Sequence, residues 1–549
     1  MNDIQLEDYG KGSSVRAQSV GAGDQGFANQ PEHGKRYDLD SDQRDMYRLG
    51  RKQELKRRFR YFSIAGYVVV LGNTWEFAIV TSTFGLANGG TAGAIWMSII
   101  VCIGMMLGVL SLAEIASMAP TSGGQYHWVS EIAPKRVQKQ MSYVVGWMAL
   151  VGWQVAVPAN AYIFAQQIVA LISVCQPNYV SEGWQTALIT IASAVAAITL
   201  SVFVMQKLTL AEGLAVVVHC FGFVAFLAIL WVMGPKTSAK EVWTHFRDDN
   251  GWDSTGAATL VGIIGPVASF IGGDSAVHLA EELQDASYVL PRRSRRQARY
   301  LPDSKLYLWT DHLTGAMVTG CAINYILGLV GLVSFLFNLG AIDDSLYIYG
   351  GQPWVAVVYR NTGSKAATIV MILVIAVCMN CVMTSSRQLW AFARDKGVPF
   401  HGFLSQVTLD GLPRNAVIFT LVFSSLLSLI IMGSSVAFNV FLSFGNAGIM
   451  TSYAVIIGCI IYRRFDGNVF PPTKFSLGKA GLVVNSLAFS YLIVALAFTF
   501  FPSVPNPRLA EMNWASLMYA FVLMFALVWY LVRAKTDYDG PVEYVRKDV

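Results

Sequence analysis

The sequence is short of charge. Only 14% of its 549 residues are Asp, Glu, Lys or Arg, against about 25% in an ordinary soluble domain. That scarcity excludes a conventional cytosolic enzyme, and a hydrophobic content of 54% excludes a disordered chain. Cysteine is sparse as well. Five of the seven cysteines stand apart, and the one C-x-x-C spacing, Cys378 to Cys381, falls inside an apolar run with no second pair, so neither a metal knuckle nor a disulfide framework is expected, and no metal or cofactor is assigned. Alternating apolar and polar strand patterns are missing, which argues against an outer-membrane barrel. The net charge of +5 is too small to point to nucleic acid. There is no short basic start followed at once by an apolar stretch, so no signal peptide is read.

What the chain has in quantity is long apolar runs. They recur at about 61–86, 93–118, 141–173, 184–204, 208–233, 256–279, 316–338, 364–386, 415–433, 436–462, 478–501 and 513–533. Each approaches or exceeds the ~20 residues that cross a bilayer core as a helix. The expected fold class is therefore all-α, a polytopic membrane protein of twelve transmembrane helices. The charges agree with this count. With both termini inside, the inner segments hold 34 Lys and Arg and the outer loops hold 6, the positive-inside bias. Residues 1–60 are polar and end in a basic run, Arg51 to Arg60. They read as a flexible cytosolic tail that lies against anionic lipid. Residues 61–533 read as the membrane domain, and residues 534–549 as a short cytosolic tail.

Two spans are interrupted at their centres. The first reads VVVLGNTWEFAIV, with Gly72, Asn73, Thr74, Trp75 and Glu76 in the middle. The sixth reads VASFIGGDSAVHLAEEL, with Gly272, Gly273, Asp274 and Ser275. Glycine weakens a helix by about 1 kcal/mol per site, and a carboxylate at mid-membrane costs a few kcal/mol. Both penalties fall in the first helix of each of two five-helix halves, about 61–233 and 256–462. Paired breaks of this kind mark inverted-repeat transporters, whose substrate sites lie at discontinuous helices.

Three longer motifs carry a resemblance. SLAEIASMAPTSGGQYHWVSEIAP runs from Ser111 to Pro134, DSAVHLAEEL from Asp274 to Leu283, and SRQLWAFARDKGVPF from Ser386 to Phe400. Together they resemble the fungal amino acid/choline/GABA permease branch of the amino acid–polyamine–organocation superfamily, over about residues 60–530. The resemblance implies a LeuT-like fold, a 5+5 inverted repeat plus two C-terminal helices. It also implies alternating access and uptake across the plasma membrane, usually driven by protons. It further implies that helices one, three, six, eight and ten line the central site. Trp153, Gln154, Pro158 and Asn160 of helix three, Asn380 of helix eight and Phe444, Gly445 and Asn446 of helix ten are then candidates.

The residues themselves constrain the substrate. No Lys or Arg stands in the middle of any span, so an anion has little beyond backbone amides to hold it. A cationic or zwitterionic amine fits better. Trp75, Trp153, Phe270 and Phe444 offer ring faces to an ammonium group. Glu76 and Asp274 either cap their own half-helices or face the bound cation. Proton coupling needs a titrating group, and His219 in mid helix five has a suitable intrinsic pKa. His278 lies four residues after Asp274, on the same side of a regular helix, so Asp274 and His278 form the other candidate pair. Glu281 and Glu282 are placed to meet the basic groups Arg387, Arg394 and Lys396 in an outward-facing state. Pro120 to Gly124 reads as a hinge between helix two and a re-entrant or interfacial helix.

One segment is out of character. By the resemblance, Pro291-Arg292 should run directly into Ala316-Met317. Residues 293–315, basic and polar, intervene. They read either as a regulatory loop or, the favoured reading, as a retained intron. The expected activity is import of a small amine-bearing solute: an amino acid, GABA, choline or a polyamine. The alternative is a sensor of the same fold that binds without transporting. A membrane enzyme is disfavoured, because no His/Asp or Ser/His cluster falls at one depth. The oligomeric state is not legible.

Overall fold

The computed structural model describes residues 55, 61–204, 208–283, 312–340, 349–377, 382–408, 411–434, 436–467, 470, 473, 475–538 and 540–541. Among them, nine helices are long and apolar enough to cross a membrane, and three shorter apolar helices, Ile64–Val80, Thr255–Phe270 and Lys365–Val377, stand with them. The twelve fall on the twelve apolar runs. No strand runs through the described residues. The protein is an all-α polytopic membrane protein.

Span one comprises Tyr61–Gly72 and Thr74–Val80, separated by Asn73. It continues into Ser82–Ala116, which bends at Gly90 (φ 65°), so that one long helix supplies the end of span one and all of span two. Span three is Gln138–Cys175, span four Gly183–Val204, and span five Leu208–Ala228 with a wider last turn to Met233. Span six is Thr255–Val261 and Ile264–Phe270, a break, and a tight final piece, Val277–Glu282. Span seven is His312–Phe337. Its first turn thus takes in the last residues of the out-of-character segment, and Leu313 and Thr314 are buried. Residues 293–311 lie outside the described residues.

Span eight is Lys365–Val377 and Val382–Arg394. Asn380 lies outside the described residues. Span nine is Arg414–Ser428, span ten Ala437–Phe465, span eleven Gly481–Thr499 and span twelve Ala515–Trp529. Burial sorts these helices. Of the best apolar window in Ala437–Phe465, 78% is buried, and in Ala515–Asp537 only 17%. Span ten is therefore core. Span twelve turns Phe521, Met524, Val528, Leu531 and Val532 outward, as a lipid-facing helix must. Beyond it the chain folds back. Tyr538 is fully buried, bonded to the Ser142 hydroxyl at 2.7 Å and packed edge-on against Tyr143 and Phe392.

Between spans two and three the PTSGG turn leads into a helix, Gln125–Ile132, with every residue but Glu131 buried. This short helix does not lie on the surface. It packs against spans three and ten, and its first residue, Gln125, reaches Asp274 of span six.

Candidate functional site

Breaking a helix frees backbone carbonyls, and buried ones need partners. At the first break Asn73 takes a left-handed conformation (φ 28°). The Asn324 amide of span seven donates to the carbonyls of Val68 and Val69, both at 3.1 Å. Gly72 sits against that amide so closely that a Cβ would fall 2.4 Å from its nitrogen. At the second break Gly272 has φ 95°, a region that side chains rarely adopt. The Tyr325 hydroxyl donates to the Phe270 carbonyl. Consecutive residues of span seven therefore close both breaks. Gly273 meets a different need, since a Cβ there would clash with Val109.

A cavity of about 70 Å³ opens between the two breaks. Gly72 and Asn73 line one side, Gly272 and Ile271 another, Trp153 and Asn160 a third, and Phe441, Gly445 and Asn446 a fourth. Phe77 adds a ring. Among the described residues, none of those that line it is charged. The Asn446 amide nitrogen is buried without a hydrogen-bond partner.

The remaining candidates lie behind this lining. Trp75 packs on Phe223 and Phe226 of span five, at 5.7 and 5.6 Å between ring centroids. Phe270 packs edge-on against Tyr325 at 5.1 Å. Thr74 turns its hydroxyl back to the Gly72 carbonyl. Phe444 is buried outside the lining. The two aromatics that flank the breaks therefore do not form a cage, and the rings at the cavity are Trp153, Phe77 and Phe441.

Glu76 and His219 meet. Both are fully buried, and His219 Nδ1 lies 2.8 Å from Glu76 Oε1. A neutral imidazole carrying its hydrogen on Nδ1 satisfies that contact.

Asp274 is enclosed more completely. Its Oδ2 accepts from Gln125 Nε2 at 2.6 Å and Trp153 Nε1 at 3.2 Å, and lies 3.1 Å from His278 Nε2. Its Oδ1 accepts from the Tyr453 hydroxyl of span ten. On the other side of the ring, His278 Nδ1 lies 3.0 Å from the Ser122 carbonyl oxygen. A carbonyl only accepts, so Nδ1 carries a hydrogen. The contact between Nε2 and Asp274 then requires a second proton, on the imidazole or on the carboxyl. An imidazolium, with a hydrogen on each ring nitrogen, would satisfy both contacts at once. Trp153 ties the pair to the cavity, since one side chain both lines the cavity and bonds Asp274.

Below this pair the helix-six carboxylates are clamped. Arg387 Nε lies 2.7 Å from Glu282, and Arg394 makes a two-pronged contact with Glu281 at 2.7 and 2.8 Å. Ser122 N–H donates to Glu281 at 3.3 Å, and the Tyr126 hydroxyl to Asp395 at 2.8 Å. Span six, span eight and the PTSGG turn are thus locked together on the face that carries most of the basic residues.

Sequence reasoning missed Gln125, Ser122, Tyr453, Asn324 and Tyr325. Asn324 left a signal, as an amide in the middle of an apolar run. Gln125 directly follows Pro120 to Gly124, a turn read only as a hinge. Tyr453 left none, because a tyrosine in span ten looks like packing.

The known proteins agree with this architecture. The model of a family described as amino acid permease matches residues 59–527. A Macrophomina phaseolina protein named as an amino acid/polyamine transporter is 30% identical over 460 residues, covering 80% of this chain and 96% of its own. An uncharacterized amino-acid permease of Schizosaccharomyces pombe is 26% identical, covering 98% of this chain and 94% of its own. The choline transporter of Saccharomyces cerevisiae is 24% identical, covering 88% of this chain and 83% of its own. The chain belongs to the amino acid permease family, and it is a transporter of amino acids or related organic cations, not an enzyme.

Proposed function

We propose that this permease imports one small monoamine, zwitterionic or singly cationic, together with a proton. It would do so across the plasma membrane, with both termini in the cytosol. The observation that carries the reading is Trp153, which touches the cavity and the Asp274–His278 pair at once. An uncharged lining suits a substrate with one ammonium group, held by ring faces. The Asn446 amide offers a donor to a carboxylate or hydroxyl at the substrate's other end. A polyamine fits less well, because its further charges would find no carboxylate among the described residues of the cavity wall.

The coupling follows from the hydrogen count. With its proton, His278 bonds Asp274 and the Ser122 carbonyl together and holds the PTSGG turn to span six. Without it, one nitrogen lone pair faces an acceptor, and one of the two contacts fails. The turn then loosens, and with it the Ser122 contact to Glu281. Opening toward the cytosol and release of the proton become one event. The sign is that of symport: acid outside loads the pair and favours the closed cytosolic face, and the cytosol unloads it.

Uptake of radiolabelled choline, GABA, neutral amino acids and spermidine into permease-deficient cells, at two external pH values, tests this. Accumulation of one monoamine, faster at the lower pH, is expected. Accumulation of spermidine alone contradicts the substrate reading. Binding without accumulation would make the protein a sensor.

A further inference from the structure

The foot of span twelve carries a second hollow, on the basic face and far from the breaks. It is open and has a volume of about 470 Å³. Lys396, His401 and Arg533 line it, together with Phe400, Phe525 and Trp529. Phe525 and Trp529 stack with an interplanar angle of 15°. Asp537 also lines the hollow and pairs with Arg533 at 3.0 Å. The lining keeps a net positive charge, and the neighbouring Lys135, Arg136 and Lys535 are exposed. Lys139 joins them, with its ammonium 3.0 Å from the Lys535 carbonyl.

The apolar surroundings set the depth. Phe400 is 83% exposed and Phe403 55%. Large apolar side chains so bare beside lysines sit at a membrane interface, with rings among acyl carbons and ammonium groups at headgroup level. Around the helix from the hollow, span twelve also exposes Leu531, Val528, Met524 and Phe521, apolar surface that acyl chains cover. Cations and stacked rings in one hollow at the edge of an apolar surface match one amphiphile with an anionic head.

We propose that this hollow binds one anionic phospholipid of the leaflet on the basic face, with its phosphate between Lys396 and Arg533. Lys396 directly follows Asp395 and Arg394, so a headgroup there grips the end of the helix that clamps span six. The proposal stands on this surface alone and does not depend on the substrate or the proton.

The test uses the full-length protein in vesicles of phosphatidylcholine with a minor fraction of phosphatidylserine, read by native mass spectrometry of retained lipid. Wild type should retain phosphatidylserine in preference to phosphatidylcholine. Lys396→Gln with Arg533→Gln should weaken that preference about thirtyfold, since each cation near the surface contributes a factor of about five. Lys396→Arg with Arg533→Lys should keep it, which separates charge from misfolding. Equal retention of both lipids by wild type would overturn the proposal. So would an unchanged preference in the glutamine variant, or displacement of phosphatidylserine by dissolved glycerol phosphate, which would make the site one for free anions.

Discussion

The two breaks use the same residue types and hold them differently. At the first, Glu76 meets His219 of the fifth span of its half, and one neutral imidazole satisfies the contact. At the second, Asp274 meets Tyr453 of the fifth span of its own half, but it also takes Gln125, Trp153 and His278. The symmetry lies in a carboxylate just past the break, bonded to the last helix of the repeat. The difference lies in what was added to one copy. Of the two imidazoles, His278 meets an oxygen from each ring nitrogen, and His219 meets the Glu76 carboxylate from Nδ1. Composition cannot make this distinction, because it depends on which atom faces which.

The sharpest way to break the comparison is Asp274→Asn. An amide in a ring of donors loses acceptors and turns a donor toward donors. Charge-assisted bonds contribute about 1.5–3 kcal/mol each, so uptake at equal surface expression should fall at least about a hundredfold. Glu282→Gln comes next. It removes the charge of the carboxylate that the buried Arg387 meets at 2.7 Å, at a cost of up to about 3–5 kcal/mol. A lowered melting temperature should follow, with recovery when Glu282→Arg and Arg387→Glu are combined. Gly272→Ala forces a side chain into φ 95°, at a cost of about 1–3 kcal/mol, and should cut uptake severalfold without altering its pH profile. Glu76→Gln should do least. The amide oxygen still accepts from His219, one bond of about 1 kcal/mol changes character, and uptake should stay within about fivefold with its pH dependence intact. Were Glu76→Gln to abolish the pH dependence, the two breaks would have exchanged roles.

Much of this was legible in the chain. Length and hydropathy located every span, because a bilayer dictates both. Glycine beside a carboxylate at mid-span located both breaks, since neither residue is tolerated there without a reason. The pairing of Asp274 with His278 followed from a spacing of four, although the piece they share is a tight turn and not a regular α-helix. Contacts between distant segments were not legible. Glu76 and His219 were both singled out, but nothing in the order of residues joins positions 143 apart. The direction of Trp75 and Phe270, away from the cavity, depends on how spans five and seven pack. Asn324 and Tyr325 became meaningful only when the freed carbonyls had positions.

The central claim, that the Asp274–His278 pair carries the transported proton, has one direct measurement. Purified protein in proteoliposomes containing a pH-sensitive dye is given an inward gradient of its substrate, with the membrane potential clamped. Wild type should acidify the lumen as substrate enters. His278→Gln should still exchange labelled for unlabelled substrate but move no protons. Acidification by His278→Gln at the wild-type ratio of proton to substrate would contradict the claim.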